Sequence, residues 1–274
     1  MGIIVANAYA LSLAEEERGT FPVLLWENLV QGYAASAEAA GYPASNLGTS
    51  STIEGWRGTG SGPHSLTMTL DPSRMVDGLG LERHNLGSDG MTLSLWGLAP
   101  DGDAEVSGDW SEIIPEIIVA DDGTLMMRFA PESYAALRLD IVPVMATPRV
   151  ALLSVGKLLV MERGNQAHTP IPWGITRDVQ TARSQAGDFL ARTITGSTRR
   201  GSISFIKLSG GWIRSSGFLR FAAAAAGLPF FLSWNPEEYP GEVAFVWALN
   251  DIIPETSDLV GSVDVTIELE GVVL

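Results

Sequence analysis

Along the first half of the chain apolar and polar residues alternate with a period of two. Leu66, Met68 and Leu70 alternate with Ser65, Thr67 and Thr69, and Met91, Leu93 and Leu95 alternate with Thr92 and Ser94. Successive side chains of a strand point to opposite faces, so each run predicts a strand with one buried and one solvated face. The same reading extends to residues 125–129 and to Leu137, Leu139 and Ile141. Turn chemistry at Ser88-Asp89-Gly90, Asp101-Gly102 and Asp122-Gly123 separates the runs. Short strands punctuated by Asp and Gly predict an antiparallel sandwich.

Pro143 and Pro148 bracket residues 144–147, where one regular element would lose backbone donors. A domain boundary is expected there, giving domains at 1–145 and 146–274. In the second, residues 150–161 form an apolar strand or strand pair interrupted by Gly156, and Pro170 and Pro172 mark a loop. Residues 177–195 show no clear period. Ile203 and Phe205 alternate with Ser202 and Ser204, and Val263, Val265, Ile267 and Leu269 alternate with Asp264, Thr266, Glu268 and Glu270. Between them, Trp212, Phe218, Leu219, Phe221 and the alanines at 222–226 predict one prominent helix over 211–226, stopped by Gly227. Residues 229–234 then read as a buried strand.

Composition narrows the function. At 274 residues with 46% hydrophobic and 18% charged residues, the chain is long enough for two cores and is no disordered polymer. The lack of any cysteine excludes disulfides, thiolate metal sites and thiol nucleophiles. The net charge of −15 is uneven. Residues 1–145 hold 6 Arg, no Lys and 20 acidic residues, a balance of −14, whereas 146–274 hold 11 basic and 12 acidic, a balance of −1. An acidic half repels phosphate backbones, so nucleic acid is not an expected partner, and the same balance weighs against anionic glycans. The start of the chain lacks a basic region, and Glu15, Glu16 and Glu17 follow, so no signal peptide is expected. The longest apolar stretch, 218–234, contains Arg220, Gly227 and Pro229, and no membrane insertion is expected. The charge asymmetry suggests an exposed first half on an assembling second half.

Candidate chemistry is sparse. His64, His84 and His168 have no metal-ligand neighbours at helical or hairpin spacing. The run Gly58-Thr59-Gly60-Ser61-Gly62 lacks the strand, Lys and helix of a phosphate cradle. Carboxylate pairs such as Asp101 with Asp109 or Glu112 with Glu116 could in principle hydrolyse glycosides, but among 20 carboxylates chance pairs are expected. Asp121-Asp122-Gly123 and Asp101-Gly102-Asp103 offer oxygen ligands without a full calcium loop and read as turns. No catalytic residue, cofactor or metal is expected, and the protein is not read as an enzyme. Trp56, Trp96, Trp110 and Tyr42 stand near turn signals, where aromatics either stack on ligands or fill the core. Trp56-Arg57 is the most suggestive pair, able to hold a ligand by stacking and hydrogen bonds or to close the end of a sandwich.

The stretch Ala34-Ala35-Ser36-Ala37-Glu38, then Tyr42-Pro43-Ala44-Ser45-Asn46-Leu47, then Gly55-Trp56-Arg57 resembles the opening of galactose-binding-like, or discoidin-like, jelly-roll domains. Val76-Asp77, the run from His84 to Thr92 with a hairpin at Ser88–Gly90, and Leu137-Arg138-Leu139 are similar to the strands that follow, so the resemblance covers about residues 26–143. It implies a mainly β protein: an N-terminal jelly-roll β-sandwich followed by a second β-rich domain. It also implies loops at one end that bind carbohydrate, lipid or calcium in some members. Trp56, Arg57, Asn46, His84 and Asn85 are the ligand-binding candidates, the last two at a strand end where a structural role is favoured over ligand binding. Over its whole length, through Val155-Gly156-Lys157, Pro229-Phe230-Phe231, residues 234–240 and residues 265–271, the chain resembles tail-region proteins of siphophages and prophages. That resemblance implies a virion protein of the tail tip or baseplate, synthesised in the host cytoplasm. Its partners would be copies of itself in a ring, other tail proteins and, as an alternative role, a host-surface glycan gripped by an adhesin module.

Overall fold

The computed structural model describes residues 2–6, 21–165, 174–257 and 261–272. The protein is mainly β. Its first ten strands are β1 (Ile3–Val5), β2 (Val23–Leu25), β3 (Val30–Ala35), β4 (Trp56–Arg57), β5 (His64–Leu70), β6 (Met75–His84), β7 (Thr92–Leu98), β8 (Trp110–Ile118), β9 (Leu125–Ser133) and β10 (Ala136–Val142). They are followed by β11 (Arg149–Gly156), β12 (Leu159–Val160), β13 (Gly174–Arg183), β14 (Phe189–Ser209), β15 (Phe230–Ser233), β16 (Val243–Ala248), β17 (Glu255–Thr256) and β18 (Ser262–Gly271). Two short helices, α1 (Gly210–Ser215) and α2 (Phe218–Ala225), lie between β14 and β15.

Two five-stranded sheets form a jelly-roll sandwich, one ordered β3-β5-β10-β7-β8 and the other β1-β9-β6-β11-β4. Between them pack the inward residues of both, among them Trp56, Met68, Leu81, Leu95, Phe129 and Leu139. The alternating run at 65–70 falls in β5 and that at 91–95 leads into β7, both on the sheet whose other face meets solvent. A third sheet, ordered β12-β2-β15-β16-β18-β14-β13 with β17 on β18, covers the outer face of the β1-β9-β6-β11-β4 sheet. Ile3, Leu25, Met126, Leu152, Phe231 and Phe245 fill that junction. On its far side the third sheet packs against the helices through Phe205, Phe218, Phe221 and Phe230.

The middle sheet is therefore buried on both faces, and seven consecutive residues of β6, from Val76 to Glu82, are buried. Close approach needs glycine there. A Cβ on Gly80 would lie 2.7–2.8 Å from three ring atoms of Phe231, and one on Gly78 would lie 2.5 Å from Leu158.

Several expectations are redrawn. The segment bracketed by Pro143 and Pro148 does not leave the sandwich: it crosses from β10 in one sheet to β11 in the other. Sheet pairing thus carries residues 149–156, expected after the 145/146 boundary, into the first sandwich, where β11 pairs with β6 and β4. Conversely, Val23–Leu25 pairs in the third sheet. The turn at Ser88–Gly90 is not a hairpin, because β6 and β7 belong to opposite sheets. The segment expected to be helical over 211–226 is helical but divided by Gly217, which has a left-handed φ of 87°. Residues 177–195, which gave no period, form most of a long antiparallel β13–β14 ribbon whose two faces are both largely exposed. The loop expected at Pro170 and Pro172 and the acidic run Glu15–Glu17 lie outside the described residues.

Candidate functional site

Strand β4 is only two residues long and forms the edge of the middle sheet, pairing Trp56 with Val150 and Arg57 with Arg149. Alternation sends Trp56 inward and Arg57 outward. Trp56 is 1% exposed, and its indole Nε1 donates to the Ala37 carbonyl at 3.0 Å. It serves the core and cannot stack on a ligand. Gly55 lets the strand approach, since a Cβ there would lie 2.5 Å from the Val150 carbonyl oxygen.

Beside this edge a groove of about 440 Å³ is lined by residues of the 42–57 segment, the end of β6, the start of β11 and Asp122. Arg57, Arg83 and Arg149 come from β4, β6 and β11, three adjacent strands of one sheet. Arg83 has a left-handed φ of 52°, a conformation uncommon for a residue with a Cβ. At this irregularity the register of β6 with β11 skips the pair Arg83 and Ala151. Tyr42, 46% exposed, and Ile53, 94% exposed, present apolar surface, while Glu54 and Asp122 add two carboxylates.

The other sequence candidates hold the groove in place. His84 is buried; its Nε2 donates to the Gly123 carbonyl at 2.9 Å and its Nδ1 accepts from the Leu86 N–H. Burial pushes its pKa down, which matches a neutral ring tying two turns together. Asn85 donates from Nδ2 to the Thr147 carbonyl and accepts the Arg149 N–H at 2.8 Å, so it positions the start of β11. Asn46 donates to the Gly55 carbonyl and braces the loop before β4. Trp56, Arg57 and His84 line the groove, whereas Asn46 and Asn85 do not. Sequence reasoning missed Arg83 and Arg149: the first depends on an unusual backbone conformation, and the second lay beyond the expected boundary.

The acidic turns act as backbone acceptors. Asp89 accepts the N–H groups of Val144, Met145 and Ala146 at 2.9–3.1 Å. Partial desolvation would raise its pKa, yet these three donors together bring it below the ordinary carboxylate value. Asp121 accepts from Gly123, and Asp103 accepts from Glu105. Among the described residues no cluster of three His, Asp or Glu is placed to hold a metal, and no helix is long and apolar enough to cross a membrane.

No family model and no curated protein matches the chain. Solved structures do match over about half of it. Chitosan-binding module 1 of a chitosanase/glucanase from Paenibacillus sp. IK-5 is 16% identical, with 47% of this chain and 98% of that chain covered and a TM-score of 0.38. A pectin-binding carbohydrate-binding module is 13% identical, covering 47% and 91%, with a TM-score of 0.37. XRCC1 bound to the DNA pol beta catalytic domain is 12% identical, covering 48% and 98%, with a TM-score of 0.39.

Proposed function

We propose that this protein is a non-catalytic binding module whose jelly-roll sandwich holds a saccharide in the groove beside β4. The observation that carries the reading is the pairing of an exposed aromatic, Tyr42, with convergent charged groups from three adjacent strands. A sugar ring has an apolar face that stacks on an aromatic and a hydroxyl rim that hydrogen-bonds to guanidinium and carboxylate groups. The strands and turns that fix those groups are hydrogen-bonded through side chains such as Asn85 and His84, which preorganises the site. The test is calorimetric titration of the full chain with an oligosaccharide panel. Saccharide binding that falls about fivefold to a hundredfold in Tyr42→Ala is expected, in line with an aromatic contact of about 1–3 kcal/mol. Binding of no saccharide, or full binding by Tyr42→Ala, would remove the reading.

A second reading, a structural component of a tailed-phage tail tip or baseplate, is favoured by the β13–β14 ribbon. It exposes Ile175, Phe189, Leu190 and Ile194, with Phe189 67% exposed, as a projecting arm that would be covered by another subunit. The two readings are compatible, since a virion protein can display a binding module. Detection of the chain in purified particles, and loss of assembly when 184–188 is replaced to shorten the ribbon, would support it. Absence from particles together with a monomeric mass in solution would overturn it.

A further inference from the structure

Resting on the saccharide reading, we infer that the groove selects an acidic saccharide, one carrying a carboxylate or a sulfate, through Arg57, Arg83 and Arg149. Elsewhere in the jelly roll the described arginines are engaged by carboxylates or aromatic rings. Arg74 pairs with Glu27 at 2.9 Å, and Arg138 pairs with Asp140 at 3.1 Å and lies over Trp110. Arg128 is buried and acts on Asp77. In contrast, the guanidinium groups of Arg57, Arg83 and Arg149 make no ion pair and no side-chain hydrogen bond among the described residues, although 20 of the first 145 residues are acidic. Arg83 acts on the buried Glu82 through its charge and its backbone N–H, without forming a salt bridge to it.

These unpaired cations share one cavity. Arg57 and Arg149 stand directly opposite each other across the β4–β11 pair, an arrangement of like charges that is unfavourable without an anion between them. Glu54 and Asp122 also line the groove, and Asp122 accepts the Ser88 N–H at 2.8 Å, so the local balance is three cations to two carboxylates. The net charge of the first half does not oppose such a ligand at short range, because charges beyond about 8 Å are largely screened at physiological salt. A guanidinium presents parallel N–H donors that match the two oxygens of a carboxylate or sulfate.

Titration of the full chain with oligogalacturonate, its carboxyl-reduced neutral counterpart and a heparin-derived sulfated oligosaccharide tests the inference and tells the two anions apart. At least one anionic probe should bind, with affinity falling as salt rises. Carboxyl reduction, or Arg83→Gln and Arg149→Gln in turn, should weaken it about tenfold to a hundredfold, the range of a charge-assisted hydrogen bond. Arg74→Gln, outside the groove, should bind as the parent does. Equal binding of the neutral counterpart, or anionic binding indifferent to the groove arginines, overturns the acidic selectivity and leaves the saccharide reading standing. Failure of every probe, neutral ones included, overturns both.

Discussion

Gly80→Ala tests whether the middle sheet is packed as tightly on its outer face as its glycines imply. The added Cβ would sit 2.7 Å from Cε2 of Phe231 and 2.8 Å from two further ring atoms. Carbon atoms settle about 3.5–4.0 Å apart, so the ring must withdraw by roughly 0.7–1.3 Å. It has little room: Phe231 is 1% exposed, its ring centroid lies 4.9 Å from that of Phe245, and its strand is paired with both β2 and β16. Overpacking of this kind costs about 1–3 kcal/mol. Reduced freedom of the unfolded chain offsets about 0.4–1 kcal/mol of that, because Gly80 does not have a positive φ. A net loss of about 1–2 kcal/mol is expected, read as a lower denaturation midpoint with an unchanged slope. Phe231→Leu supplies the control: in that background Gly80→Ala should cost less by about 0.5 kcal/mol or more, since contacting residues couple. Equal stability of Gly80→Ala and parent, or additive effects of the two substitutions, would refute the account of the junction.

Two further expectations concern charge. The folded pKa of Asp89 lies below its reference value of 3.8, so its contribution to stability is present above that value and lost as pH falls through the lower folded value. Asp89→Asn should therefore destabilise more at pH 7 than at pH 2–3, and denaturation midpoints showing the same loss at both would contradict the role given to its three backbone bonds. Arg57→Gln should slightly raise the thermal midpoint of the unliganded protein at low salt by relieving the Arg57 and Arg149 opposition, with the gain shrinking as salt is added. A lower midpoint would mean that an unseen partner holds Arg57.

What the sequence disclosed follows from which strands have one wet face. β5 and β10 alternate because their sheet meets solvent on one side, and Leu66, Met68, Leu137 and Leu139 were legible as core for that reason. β6 and β11 show no such rhythm, because Leu79 and Leu153 face one core while Gly80 and Leu152 face the other. With no alternation to connect it to the sandwich and two prolines just before it, β11 reads in sequence as the start of a separate unit. Trp56-Arg57 was legible as a pair but not as two opposite roles, which depend on the direction of a two-residue strand. Arg83 gave no signal at all: no property of an arginine in sequence announces a left-handed backbone.

The same double burial accounts for how that strained residue persists. A non-glycine residue held in the left-handed region costs about 1 kcal/mol or more, and it survives only where the surroundings fix it. Strand β6 is paired with β9 up to Leu81, and with β11 on either side of Arg83, at Glu82 and His84, so the residues flanking Arg83 are held. Immediately after Arg83, the buried His84 anchors to the Gly123 carbonyl, so the chain cannot relax in that direction either. The third sheet therefore acts on the groove without lining it: by packing Phe231 and Leu158 against Gly80 and Gly78, it fixes the stretch of β6 that leads into Arg83.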